Sequence, residues 1–199
     1  QKELGIKTCI AFDILAGCSG FINAIDVAKK YIEGNTAKKA LVVGIEQLSK
    51  YVDKNDIGTS IILSDGAGAI LIEGTAEEKK YCSKIETTID EKEILKTYVK
   101  DGILKLEMDG KEVYKYAVTE TVKNLEELLQ KSNETLENIK YIVPHQSNLK
   151  IIKSIANRLG TDIIDKMYVN IDKIGNTFCA SIPIALDEMI KKGLLQTGD

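Results

Sequence analysis

Along the chain, short apolar runs typical of strands alternate with segments whose apolar residues recur at helical spacing. Short apolar runs predict strands at residues 9–12, 39–45, 59–63 and 67–72. Apolar side chains at helical spacing predict a helix from about residue 21 to Glu33, which Gly34 terminates. The unbroken run 39–45 is typical of a strand covered on both faces, and Ser64-Asp-Gly66 predicts a hairpin between the last two strands.

The middle of the chain differs in character from both ends. Residues 73–110 are dominated by Glu and Lys, with charge runs at 77–80 and 90–93, which are typical of solvated surface. Strand signals at 83–89 and 104–108 are weak. We therefore place a domain boundary near residue 80 and expect two units, residues 1–80 and 81–199.

Regular patterning returns after Gly110. Helices are predicted at 113–131, 149–159 and 182–192, the last with Pro183 in its first turn. Strands are predicted at 141–143 and 167–171. Each half thus holds a strand, a turn of small residues and a helix, which is a faint internal repeat. The alternation of strands and helices predicts an α/β fold.

Composition narrows the class of protein. The 199 residues are 44% hydrophobic and 29% charged, and no apolar run is long enough to predict a membrane helix. A net charge of −3 argues against general nucleic-acid binding. The four cysteines form no C-x-x-C pair and there is one histidine, so a zinc site has almost no support. Free thiols are typical of the reducing cytosol, so we expect a cytoplasmic protein.

Cys18 is the first candidate for chemistry. It lies among small residues where the first predicted strand ends and a helix begins. A helix N-terminus directs free backbone N–H groups and a positive dipole at such a sulfur, which predicts a lowered thiol pKa and a nucleophile. The alternative is a small cysteine buried in tight strand–helix packing.

His145 and Asn176 are further candidates, each with a structural alternative. His145 follows Pro144 at a predicted strand end, where α/β folds often carry sites, but lone histidines are more often structural. Asn176 lies in a Gly-Asn-Thr turn and could serve there as a turn residue alone. The segment 66–68, Gly-Ala-Gly, lacks the rest of a phosphate-binding motif, so we expect close backbone packing there.

Three segments together resemble a known family. Ala16-Gly-Cys-Ser-Gly-Phe21, Val143-Pro-His-Gln-Ser-Asn148 and Gly175-Asn-Thr-Phe-Cys-Ala-Ser-Ile-Pro183 are similar to the signatures of β-ketoacyl-ACP synthase III. Weaker similarity extends through 40–44, 58–61, 65–69 and 108–114, in the family's order. The resemblance implies a thiolase-like α/β fold of two related α-β-α-β-α halves, incomplete in this chain, and an acyltransferase of fatty-acid biosynthesis.

The resemblance also implies roles and partners. Cys18 would accept an acyl group from acyl-CoA, and its backbone N–H would help hold the oxyanion. His145 and Asn176 would then donate hydrogen bonds to the thioester oxygen of malonyl-ACP during decarboxylation. The implied product is a β-ketoacyl-ACP. The family works as a homodimer without a metal or bound cofactor, and coenzyme A enters only as the thioester substrate.

Several positions depart from the family's pattern. Lys150 stands where the family usually has an arginine that contacts the carrier protein. Lys150, Lys153 and Arg158 form a candidate carrier-docking face, with an ordinary solvated helix face as the equal alternative. Ile57 replaces an arginine common before Gly58, with no role assigned. Phe178 and Cys179 replace smaller residues, a change that could reshape the acyl pocket.

The family's first third and its final glycine-rich strand have no counterpart here, so we expect this chain to be part of a longer protein. By resemblance the missing strand supplies the second oxyanion N–H. Three alternatives stay open. They are another thiolase-fold enzyme that condenses acyl-CoA thioesters, a Cys-His-Asn hydrolase that releases free acid, and a catalytically inactive thiolase-fold piece.

Overall fold

A computed structural model describes residues 1–50, 52, 55, 57–76, 80–160 and 162–199. Its strands are β1 (Lys39–Glu46), β2 (Gly66–Glu73), β3 (Leu95–Lys100) and β4 (Ile103–Met108). Its longer helices are α1 (Gly20–Glu33), α3 (Gly110–Ser132), α4 (Leu149–Leu159) and α7 (Ser181–Lys191). Single helical turns are α2 (Ile57–Ser60), α5 (Ile163–Lys166) and α6 (Ile171–Ile174).

The first core lies between the β1–β2 sheet and the helices α1 and α7. The two strands are antiparallel, with Lys39 opposite Glu73 and Glu46 opposite Gly66. On the covered face a Cβ added to Gly68 would lie 2.9 Å from the Ile184 backbone nitrogen. Glycine therefore lets α7 approach the strand backbone closely, which is the packing role expected for the Gly-Ala-Gly segment.

The second core lies between α3 and α4. Its buried side chains come mainly from these helices and from α5, namely Val118, Ile152, Ile155, Ala156, Ile163 and Met167. The chain leaves α3 through Asn133, whose φ of 52° is left-handed. Lys166 then fixes the following turn, because its Nζ donates to the carbonyls of Leu136, Glu137 and Ile139 at 2.7, 3.1 and 2.9 Å.

A polar strap, residues 80–86, connects the two cores. Ser83 donates through Oγ to Asp26 of α1 at 2.7 Å, and its carbonyl accepts from Lys131 of α3 at 2.9 Å. Lys84 forms an ion pair with Glu127 of α3. These contacts tie the two helices to one segment through charges and hydrogen bonds.

The helix predictions are confirmed, and the bounds of α4 agree with the sequence prediction at both ends. Among strands, β1, β2 and β4 are confirmed. The sequence missed β3, which pairs with β4 through Asp101 and Gly102, both at positive φ. Asp-Gly is a hairpin signal.

Other strand predictions are wrong. Residues 57–60 form α2, so the predicted strand 59–63 and its hairpin do not exist, and β2 pairs with β1 instead. Residues 9–12 and 83–89 carry no strand, and 141–143 and 167–171 hold only a bridge between Ile142 and Met167. The prediction that β1 is covered on both faces is wrong as well. On its outer face, Leu41, Val43 and Ile45 are 49%, 50% and 68% exposed.

Part of the charge run predicted at 77–80 falls on residues outside the described ranges. Within the described ranges, no helix combines the length and apolarity that a membrane span requires.

Candidate active site

The cysteine turn, residues 16–20, places Cys18 at the entrance to α1. A 3-10 turn, Gly17–Ser19, leads directly into the helix, and Gly17 adopts a φ of 52°. Ser19 locks this geometry, since both its backbone N–H and its hydroxyl donate to the Ala16 carbonyl, at 3.2 and 2.8 Å. Cys18 is half-buried and unpaired. The predicted helix after Cys18 is confirmed, whereas the strand predicted before it is absent.

The expected lowering of the Cys18 pKa is wrong. Burial of the sulfur, reinforced by the negative charge of Glu46, raises the pKa of the Cys18 thiol to about 11. A hydrogen bond from its own backbone N–H opposes this increase without overcoming it. A helix N-terminus stabilises a thiolate only where desolvation is smaller than the dipole's effect. The resting side chain is therefore a neutral thiol at pH 7.

The asparagine turn, residues 175–181, fixes Asn176 through its backbone. The Asn176 N–H donates to Ile62 O and its carbonyl accepts from the Ser64 N–H, both at 3.0 Å. Its side chain is also held, because Oδ1 accepts from the Phe178 N–H at 3.0 Å and Nδ2 donates to Ser147 O at 3.4 Å. Phe178 follows at a φ of 43°, a strained value for a bulky residue.

The histidine loop, residues 144–148, is fixed by Ser181 from the end of the asparagine turn. The hydroxyl of Ser181 lies 2.7 Å from His145 Nδ1, accepts from the Gln146 N–H at 3.2 Å and reaches Phe178 O at 2.9 Å. His145 Nε2 is buried and has no hydrogen-bond partner in the described part of the protein. Burial lowers the pKa of His145 to about 4, so the ring is neutral at pH 7.

A buried amide supports the histidine loop from behind. Gln146 is fully buried, and its Nε2 donates to Pro144 O and Tyr168 O at 2.9 and 3.1 Å. Its Oε1 accepts from the Asn170 N–H at 3.0 Å. Three satisfied hydrogen bonds make this side chain a rigid base for the preceding histidine.

The asparagine turn is the element that joins the three candidates. At its two ends, Asn176 and Ser181 hold the histidine loop. In its middle, the turn Phe178–Ala180 packs against the cysteine turn, where a Cβ added to Gly20 would lie 3.6 Å from Cys179 Cβ. One segment therefore contacts the surroundings of both Cys18 and His145.

Sequence reasoning missed Glu46 and Ser181 as parts of this site. Glu46 lies at the end of β1, and its Oε1 accepts from the Cys179 N–H at 3.4 Å. The signal was its position, a single acidic residue directly after the apolar run 40–45. Ser181 is in a quoted motif, but nothing in its pattern indicates that its hydroxyl contacts His145.

The candidate docking residues Lys150, Lys153 and Arg158 are exposed on α4. Asn148 caps the helix by accepting from the Lys150 N–H at 2.8 Å, and Arg158 donates to Thr119 at 3.2 Å. The described residues contain no group of three or more His, Cys, Asp or Glu side chains placed to hold a metal ion.

Two family models match the chain. Residues 12–90 match 3-oxoacyl-[acyl-carrier-protein] synthase III, and residues 129–199 match the C-terminal part of the same enzyme family. Curated relatives named β-ketoacyl-[acyl-carrier-protein] synthase III from Clostridium tetani and Clostridium acetobutylicum are 41% and 38% identical over the whole chain. The chain spans somewhat less than two thirds of their length, 65% and 64%.

Solved structures of the same enzyme family are similar to this chain. The synthase III structures from Thermus thermophilus and Aquifex aeolicus superpose with TM-scores of 0.90 and 0.85 at 36% and 37% identity. Each covers all of this chain, which spans 64% and 63% of the respective structure. The thiolase-like α/β fold expected from the sequence is confirmed.

Proposed function

The chain belongs to the 3-oxoacyl-[acyl-carrier-protein] synthase III family, and we propose that its full-length protein condenses an acyl-CoA with malonyl-ACP to start fatty-acid synthesis. The observation that carries the proposal is the asparagine turn, which contacts both the Cys18 turn and His145. No metal or bound cofactor takes part in the proposed reaction.

In the first step Cys18 accepts the acyl group. Its sulfur attacks the thioester carbonyl, a new S–C bond forms, and the bond from the acyl carbon to the coenzyme A sulfur breaks. The thiol proton leaves with coenzyme A, so the step starts and ends without net charge. The Cys18 backbone N–H, at the entrance to α1, is placed to stabilise the oxyanion.

In the second step His145 and Asn176 stabilise the enolate of malonyl-ACP. The bond between the malonyl carboxylate and the α-carbon breaks, CO2 leaves, and negative charge moves onto the thioester oxygen. The resulting carbanion attacks acyl-Cys18 and releases the Cys18 thiolate, which takes a proton from solvent. Two donors to one oxyanion are each worth about 3 kcal/mol in comparable sites.

This role requires one tautomer of His145. Nε2 donates to the substrate only if it carries the proton, so Nδ1 must accept, and the Ser181 hydroxyl must donate to Nδ1 rather than to Phe178 O. The low pKa of His145 keeps the ring neutral and leaves a single proton to place.

Carrier docking and assembly belong to the same proposal. The exposed cations Lys150, Lys153 and Arg158 on α4 would receive the acidic carrier protein. We also propose a cytoplasmic homodimer.

The test is the intact mass of the full-length protein after incubation with acetyl-CoA and, separately, with branched and longer acyl-CoAs. We expect one added acyl group, its absence in Cys18→Ser, and its retention in Cys82→Ser, which removes another half-buried thiol. The acylated protein should form β-ketoacyl-ACP with malonyl-ACP, and His145→Ala or Asn176→Ala should lose decarboxylation while keeping acylation.

Absence of acylation with every acyl-CoA would overturn the proposal. Release of free acid from the acylated protein in place of condensation would instead assign a hydrolase.

A further inference from the structure

Glu46 contacts the site described above without belonging to any of its three motifs. It is the last residue of β1, is half-buried, and contacts the asparagine turn. Its carboxylate accepts from the Cys179 N–H at 3.4 Å. This hydrogen bond ties the end of β1 to the middle of the asparagine turn.

Close backbone packing brings these elements together. A Cβ added to Gly44, two residues before Glu46, would lie 3.0 Å from Cys179 O and 3.1 Å from Ala180 Cα. The end of β1 therefore meets the asparagine turn backbone to backbone. Glu46 prolongs this contact with its side chain, on the side where Cys179 adjoins the cysteine turn at Gly20.

We propose that Glu46 is a positioning residue for the acyl-transfer site, which fixes the asparagine turn against the cysteine turn and sets the charge beside the Cys18 sulfur. The inference rests on the proposed function only in taking Cys18 as the acyl acceptor.

The charges around Cys18 support this role. Burial, reinforced by Glu46 from β1, raises the pKa of Cys18 to about 11 and that of Cys179 to about 12. Both thiols are therefore neutral at rest. A neutral Cys18 resists alkylation and oxidation, because both require the thiolate.

The experiment measures the alkylation rate of Cys18 by iodoacetamide between pH 7 and 11 in the full-length protein, with peptide mass spectrometry to separate Cys18 from the other thiols. Glu46→Gln keeps an oxygen acceptor for Cys179 but removes the charge. We expect alkylation of Cys18 at pH 8 to be about three- to ten-fold faster than in the wild type, because loss of a nearby charge shifts a pKa by roughly half to one unit.

Glu46→Asp restores the charge and should return the pH profile toward that of the wild type. The matched control is Glu73→Gln, which removes a carboxylate at the opposite end of the same two-stranded ladder and should leave the profile unchanged. A Glu46→Gln profile that coincides with the wild type, or an equal shift in Glu73→Gln, would overturn the inference.

If the Glu46→Gln protein does not fold, a second measurement on the wild type tests the same inference. Raising NaCl from 0.01 to 1 M shortens the Debye length from about 30 to 3 Å. In the wild type this should accelerate alkylation of Cys18 relative to exposed Cys9, and an unchanged ratio would count against the inference. Because no assay here uses acyl-CoA, failure of the proposed function and failure of this inference remain distinguishable.

Discussion

Ser181→Ala tests how strongly one hydroxyl organises the site. Ser181 is fully buried, and its oxygen is within hydrogen-bond distance of His145 Nδ1, the Gln146 N–H and Phe178 O. Alanine removes all three contacts while leaving the backbone of α7 unchanged. The space vacated by one oxygen atom is too small to admit a water molecule in its place.

The cost follows from the groups left without partners. A buried hydrogen bond contributes about 1 kcal/mol net, and a partner left unsatisfied adds a desolvation penalty. Three affected groups that relax only partly give about 2–4 kcal/mol of lost stability. For a protein of this size that corresponds to a decrease in the urea midpoint of about 1 M.

The assay is urea denaturation followed by circular dichroism, together with malonyl-ACP decarboxylation. The matched control is Ser154→Ala, because the Ser154 hydroxyl is half-buried on α4 and has one partner, Tyr114 OH at 2.6 Å. We expect the control to change the midpoint by less than about 0.3 M. We also expect decarboxylation to fall at least about tenfold in Ser181→Ala alone, because the His145 ring loses its orienting partner. A Ser181→Ala protein with the midpoint and activity of the control would refute this reasoning.

The remaining predictions concern pH, a turn and close packing. Because the native His145 pKa is about 4, the unfolded state binds a proton that the native state does not. His145 should therefore reduce the free energy of unfolding by up to about 3 kcal/mol as pH falls from 6.5 to 4. His145→Gln should lose this dependence, and the same pH dependence of the free energy of unfolding in both proteins would contradict it. Lys166→Met should cost about 1–3 kcal/mol, because three carbonyls lose their donor; the exposed Lys115→Met is the control in thermal unfolding, and equal effects would argue against the contacts. Gly68→Ala should lower the free energy of unfolding by about 1–3 kcal/mol, because the added Cβ pushes α7 outward. Gly110→Ala is the control, since a Cβ there meets no atom within 4 Å. An unchanged urea midpoint in Gly68→Ala would show that α7 moves without cost.

Helices could be predicted well because their signal is local. In α4, apolar spacing, the Asn148 cap and Gly160 at the end agree, so both bounds were predictable from sequence. A strand forms only where a second strand pairs with it, and the local sequence does not show which segment that is. Residues 9–12 are as apolar as β1, but no strand pairs with them among the described residues, and the residues lie exposed.

The same difference between local and distant signals applies to the candidate site. Cys18, His145 and Asn176 were indicated by their motifs, and their roles remain predictions. The charge state of Cys18 could not be predicted, because it depends on burial and on Glu46, which is 28 positions away in the chain. The sequence shows the helix that would lower the thiol pKa, but not the carboxylate that raises it.

The hydrogen bond between Cys179 and Glu46 also has a consequence for biosynthesis. These residues are 133 positions apart. At about 5–20 residues per second, a ribosome needs roughly 7–27 s to synthesise the intervening chain. During that interval β1 has emerged with an apolar surface and without the asparagine turn that packs against it. The acyl-transfer site can therefore form only after the asparagine turn has been synthesised, and the uncovered β1 is the segment on which we expect chaperones to act.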